Sequence, residues 1–224
     1  MTAARAPLDR AHVLTSAIAA ADESGLDALS MRALAARLGV VPMALYKHVA
    51  DKDDLIGGMI DTLVAAYPAP PAESTWDDRV RSRVAGARAA VRAHPWLPSA
   101  IESRTTPTLS VLAHMDAVAG DLRSGGLSVD LTHYAMHALG SRIWGFSPEA
   151  FSGAPAADAG ADPAAQAALA QRFPNVVAIA LDAATRNPTG ACAPDAEFDF
   201  TLDLLLGGFA RLATADWSST GATD

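Results

Sequence analysis

Arg32, Pro42, Met43, Ala44, Tyr46, Lys47, His48 and Lys52 put three cations, an imidazole, a phenol and several small apolar groups into one short stretch of chain. That mixture suits a nucleic-acid duplex: cations neutralise phosphates, and small apolar side chains meet thymine methyl groups in the major groove. The elements that must position them are legible nearby. Ser30 is a good N-cap, and Met31, Leu34, Ala35 and Leu38 recur at helical spacing behind it. Gly39 ends that helix with a sharp corner, and Pro42 is tolerated in the first turn of the next. Asp51 reads as a further N-cap with Lys52 behind it, a cation where the helix dipole favours anions, which a nearby phosphate would explain. Two short helices around a tight corner form a helix-turn-helix, whose second helix enters the major groove. Leu34, Leu38, Leu45 and Val49 would hold the pair together, with Arg37 also on the groove side.

Other chemistry is sparse. There is no glycine-rich phosphate loop, no G-x-S-x-G, no H-E-x-x-H, and Cys192 has no nearby histidine, so no catalytic residue and no cofactor is expected. His133 and His137 stand four apart with Asp130 one turn earlier, a spacing that could bind a metal. Beyond these, no residue of metal-site type is near in sequence, so the pair reads as polar lining of a pocket or interface and no metal is expected. An effector cavity is expected to draw on Trp96, Met115, Met136, His133, His137 and Trp144, with Arg104 and His114 as polar anchors.

The remaining pattern is helical throughout. Residues 9–24 place Val13, Leu14, Ala17, Ile18 and Ala21 on one face, giving a supporting helix that Gly25 closes. The lysine-led helix runs to about Tyr67, where Pro68, Pro70 and Pro71 stop it. Thr75 and Asp78 resemble a capping box, and further helices are expected at 75–94, 108–123 and about 131–146, the last capped by Ser128 or Asp130. Residues 147–163 are rich in Ala, Gly, Pro and Asp and read as a flexible loop. Two helices follow at 164–173 and 176–186, and a very apolar one at about 195–213 is a candidate subunit interface. The fold class is therefore all-α: a three-helix domain over 1–56, a larger helical domain over 57–217 for effector binding and dimerisation, and a disordered tail at 218–224.

The run Leu26, Leu29, Ser30, Met31, Arg32, Leu34, Ala35, Leu38, Gly39, Val40, Leu45, Tyr46, His48, Val49, Lys52 and Leu55, behind a helix of that length, resembles without a gap the DNA-binding domain of the tetracycline-repressor (TetR) family. The resemblance implies that Arg32 contacts a base or phosphate, Tyr46 and His48 lie against the backbone, and Lys52 contacts a phosphate. It places Pro42, Met43, Ala44 and Lys47 in the sequence-reading slots. Leu139-Gly140 with Trp144-Gly145, Glu149, and Phe198-Asp199-Phe200 leading into Leu202 through Phe209 resemble the ligand-binding domain of the same subgroup. That implies a homodimer joined by a four-helix bundle, with Leu131, Leu139, Ile143, Leu202, Leu205, Leu206 and Phe209 at its interface and one effector pocket per subunit. The subgroup's drug-binding histidine falls near Pro68, which argues against tetracycline itself.

The net charge of −8 is unevenly shared. Residues 1–56 carry six cations against seven acids, a net of −1, leaving −7 for the rest. A nearly neutral head binds DNA weakly as a monomer, and two copies on one operator restore affinity. Arg5, in a short N-terminal arm, could reach a minor groove. No run of eighteen apolar residues and no charged leader is present, and a single cysteine agrees with a reducing compartment, so a cytoplasmic protein without a membrane partner is expected. The expected function is a ligand-responsive repressor that grips a palindromic double-stranded DNA operator as a homodimer and is released by a small apolar effector. The alternative is a small-molecule-binding helical protein or enzyme without specific DNA binding.

Overall fold

A computed structural model describes residues 8–144, 163–186 and 194–220. Among them are eleven helices and no strand, so the all-α expectation holds. They are α1 (Arg10–Ser24), α2 (Met31–Leu38), α3 (Pro42–Leu45), α4 (Lys52–Ala65), α5 (Trp76–Ala93), α6 (Leu97–Glu102), α7 (Leu109–Ser124), α8 (Val129–Trp144), α9 (Pro163–Arg172), α10 (Pro174–Arg186) and α11 (Pro194–Thr214). None is long and apolar enough to cross a membrane.

Local chemistry sets most of these boundaries. The Asp9 carboxylate accepts from the His12 amide, the Ser30 hydroxyl from Ala33, and the Asp51 carboxylate from Asp54, each satisfying an amide that the helix cannot. Thr75 caps α5 in the same way and also donates its hydroxyl to Asp78. Ser128, rather than Asp130, caps α8 by accepting from Leu131. Asp130 instead accepts from the Ser219 amide, and the Trp217 ring meets Tyr134 edge-on. Of the tail expected to be disordered at 218–224, Ser219 and Thr220 form a turn and Ser219 is held to α8, while residues 221–224 lie outside the described residues. The flexible loop expected at about 147–163 lies outside the described residues apart from Pro163, which opens α9.

The chain divides into two compact units, 1–144 with 210–224, and 145–209. In the first, a single apolar core joins Val13 and Ala17 of α1, Leu34 of α2, Leu45 of α3 and Leu55, Met59 and Ile60 of α4, and continues into Trp96, Leu97 and Ala100. The boundary expected at residue 56 therefore falls within α4, between side chains of one core. At Gly58 α1 and α4 approach closely: a Cβ there would stand 2.8 Å from the Leu14 side chain. Beyond α4, helix α7 packs against α4, α5 and α8. Arg79 and Arg83 of α5 both donate from Nε to the buried Asp121 carboxylate of α7, each at 2.6 Å. In the second unit α9 pairs with α10, and α11 buries Phe198, Leu202, Leu206 and Phe209 while exposing Phe200 and Leu204.

Candidate nucleic-acid interface and effector cavity

Gly39, at φ 64° and ψ 38°, turns the chain from α2 into α3, a left-handed corner that a side chain would strain. Pro42 opens α3 without sacrificing a needed amide, and the buried Leu45 and Val49 anchor the segment from behind. The outer side is left to Val41, Met43 and Tyr46, which are 68%, 72% and 45% exposed. Arg32 on α2, Lys47 just after α3 and Lys52 at the start of α4 are all exposed and, among the described residues, without a carboxylate partner. Ala44 and His48 are half-buried at the rim, and Pro42 is exposed. Arg5 lies outside the described residues. Arg37 departs from the expectation: its guanidinium forks onto both Glu23 oxygens at 2.6 and 2.7 Å, so its charge is neutralised within the protein. Val41, not among the residues singled out from sequence, is an exposed apolar side chain at the α3 N-cap.

The corner is braced from both sides by links the sequence did not announce. Arg10 of α1 donates to both Asp54 oxygens at 2.7 and 3.0 Å and to the His48 carbonyl at 2.7 Å, while the Ala50 amide donates to the same carboxylate. The Arg10 guanidinium, then that amide, hold the Asp54 carboxyl down at about 2, below its ordinary 3.8. A carboxylate whose pKa is depressed on folding contributes stability above its unfolded value and loses that contribution as pH falls through the folded one. The stability difference between the protein and its Asp54→Asn variant is therefore expected to be flat above about pH 5 and to shrink between about pH 4 and 2. Urea titrations of both across that range check it. The pair is partly exposed, so the difference at neutral pH should be about 1 kcal/mol. On the other side, Arg104 donates to both oxygens of Asp53 at 2.8 and 3.0 Å.

A second feature lies at the far end of α4, where a cavity of about 260 Å³ is bounded by Val64, Tyr67 and Pro68 on one side and by Arg83 of α5 on another. The wall from α7 is made of Ser110, Ala113, His114 and Ala117. Tyr67 and His114 meet edge-on with ring centres 5.1 Å apart. Burial, with Arg83 adding a smaller repulsion, lowers the His114 pKa below its ordinary value, so the imidazole is neutral at physiological pH. The Tyr67 hydroxyl is screened from water and bonds to nothing among the described residues, and burial raises its pKa to about 12. An unpaired buried hydroxyl is destabilising, so Tyr67→Phe is expected to raise stability by about 1 kcal/mol, read as a higher urea midpoint at unchanged m.

Of the described side chains expected in an effector cavity, His114 is the one that lines this space. Trp96 is buried in the core of the first unit, with its indole N–H donated to Asp22 at 2.7 Å. Arg104 is held by Asp53, and Met115, one residue past His114 on α7, is exposed. His133 and His137 are exposed on α8 with ring centres 4.6 Å apart, and Met136 beside them is half-buried. The Trp144 side chain lies outside the described residues. The other lining residues are small or belong to other helices: Ser110, Ala113 and Ala117 leave room on the α7 side, which gives no signal in sequence.

Of the side chains expected at a subunit interface, Leu131, Leu139, Leu202, Leu206 and Phe209 are already buried within the protomer, Leu205 is half-buried, and Ile143 lies outside the described side chains. The face that α8 leaves open carries Val129, His133, Tyr134 and His137 instead.

Comparison with known proteins agrees with this architecture. The signature described as "Bacterial regulatory proteins, tetR family" matches residues 13–59, and "Tetracyclin repressor-like, C-terminal domain" matches residues 67–212. The HTH-type transcriptional repressor DrrR1 of Streptomyces coeruleorubidus is 34% identical over 54% of this chain and 45% of its own length. The chain thus spans about half the length of the first curated relatives it matches. The class C tetracycline repressor protein of Escherichia coli is 25% identical over 93% of this chain and 94% of its own. Among solved structures, the TetR family protein ActR of Streptomyces coelicolor, in complex with actinorhodin, is 27% identical with a TM-score of 0.68, covering 93% of this chain and 99% of that one. With helix-turn-helix and body matched in order along one chain, the protein belongs to the tetR family of bacterial regulatory proteins.

Proposed function

We propose that the protein is a transcriptional repressor that binds a palindromic DNA operator as a homodimer and releases it when a small molecule occupies the cavity between α4, α5 and α7. The observation that carries this reading is the exposed segment from α2 to the start of α4: Val41, Met43 and Tyr46 stand exposed on it together with the unneutralised cations Arg32, Lys47 and Lys52, while Arg10, Arg37 and Arg104 are tied to carboxylates. Cations at the edge suit phosphates, and apolar groups at the centre suit base edges in a major groove. Pro42, Met43, Ala44 and Lys47 are the sequence-reading positions, with Arg32, Tyr46, His48 and Lys52 on the backbone and Arg5 as a minor-groove arm.

Helix α4 supplies the coupling. Lys52 stands at its first residue and Val64 borders the cavity near its last, about 18 Å away along a continuous helix. A dimer must hold two reading helices roughly 34–36 Å apart to meet successive major grooves. A ligand that prefers a tilted α4 shifts the population toward a spacing that misses them. The exposed faces of α8 and α11 are the proposed dimer surface, and the cytoplasm is the proposed location. ActR, a TetR family protein similar over nearly its whole length, has been solved in complex with actinorhodin, which supports a ligand site here.

Incubation of the full-length protein with its own upstream DNA at two salt concentrations tests the proposal. A protected palindrome whose affinity falls steeply with salt is expected. Binding without sequence preference, or a monomer in sedimentation at the concentrations that protect DNA, would overturn it.

A further inference from the structure

We infer that the ligand of the α4–α5–α7 cavity is a small, flat aromatic acid, held through its carboxylate by Arg83. The inference rests on the reading of that cavity as the effector site and names the chemistry it takes. Three observations carry it. First, charge: Arg83 is the sole cation among the lining residues, and no carboxylate is among them. Of the acids beside it, Asp121 already accepts from the two guanidiniums of Arg79 and Arg83, leaving that trio one positive charge in excess, and Asp61 is engaged by the Ser110 amide. Second, hydrogen bonding: Asp121 occupies only the Nε of Arg83, and among the described residues its two terminal nitrogens bond to nothing. They form a free fork of donors matched to a carboxylate. Third, shape: apart from His114, the α7 side of the cavity is lined by the small side chains of Ser110, Ala113 and Ala117, with the Tyr67 ring also in the lining. At about 260 Å³ the space lies below the usual range of about 300–1,000 Å³ for drug-sized ligands, which favours one or two fused rings.

The neutral His114 and the unpartnered Tyr67 hydroxyl add polar groups that carry no charge at physiological pH. An amine has no carboxylate to meet and would confront Arg83, so a cation is the class this lining rejects.

Calorimetric titration of the full-length protein with three isosteric probes decides the matter: 2-naphthoate, 2-naphthamide and 2-naphthylmethylammonium. One naphthoate per chain is expected, bound about tenfold or more tightly than the amide, with no binding of the ammonium. Arg83→Gln should bring naphthoate down to the level of the amide. Arg79→Gln removes the other arm of the same Asp121 bridge without lining the cavity, and it should keep the preference. Ala117→Leu fills the space and should abolish naphthoate binding, which keeps the inference testable should Arg83→Gln fail to fold. Equal binding of acid and amide, binding of the ammonium, or no binding of any probe would overturn it. Protection of upstream DNA is measured separately. Naphthoate binding without DNA protection removes the repressor reading and leaves the cavity assignment, and DNA protection without an acid preference does the reverse.

Discussion

Replacing Lys47 and Lys52 together by alanine is expected to weaken operator binding on the order of a hundredfold and to flatten its salt dependence by about two units per protomer, with little change in stability. Both side chains are exposed and have no carboxylate partner among the described residues, so their removal disturbs no internal bond. Each phosphate they neutralise releases condensed counterions, and the slope of log K against log salt falls by about 0.9 for each phosphate no longer neutralised. The loss should be the same on operator and on unrelated duplexes, because phosphates carry no sequence. Arg37→Ala is the internal comparison: its charge is spent on Glu23, so the slope should not move. An unchanged slope in the double variant would mean that these lysines are merely solvated.

That contrast shows where sequence reading works and where it stops. The corner at Gly39, the caps at Ser30, Asp51 and Thr75, and the buried set of α1 depend on residues within a few positions of one another, and all stand where local chemistry puts them. The fate of each arginine does not. Arg10 and Asp54 lie 44 positions apart, Arg104 and Asp53 lie 51 apart, and only the folded chain decides which cations remain free. The cavity escaped for a different reason. Large side chains such as Trp96 and Met115 attract notice in a sequence, yet Trp96 fills the core and Met115 faces outward, while the space itself is left by alanines and a serine.

The second large effect is expected at Leu45. Its side chain is fully buried, and it is the residue of the one-turn α3 that ties the reading surface to the core. Leu45→Ala leaves a void among Val13, Leu34 and their neighbours and should cost about 2–5 kcal/mol, a large share of the 5–15 kcal/mol typical of a folded domain. Urea denaturation should show a lower midpoint at unchanged m. DNA binding should suffer beyond the loss of folded molecules, since a four-residue helix has too few internal hydrogen bonds to keep its shape once its anchor is gone. A variant that binds normally under conditions where it is fully folded would show that α3 does not depend on this anchor.

The tight seat of Leu14 against Gly58 has a mechanical consequence. With no side chain between them, and with Arg10 stapled to the start of α4, the first helix has no hinge of its own. Should α4 pivot as proposed, α1 would turn with it as a welded yoke, and a pivot small enough to leave every bond inside the head intact would still carry the proposed reading surface off its target.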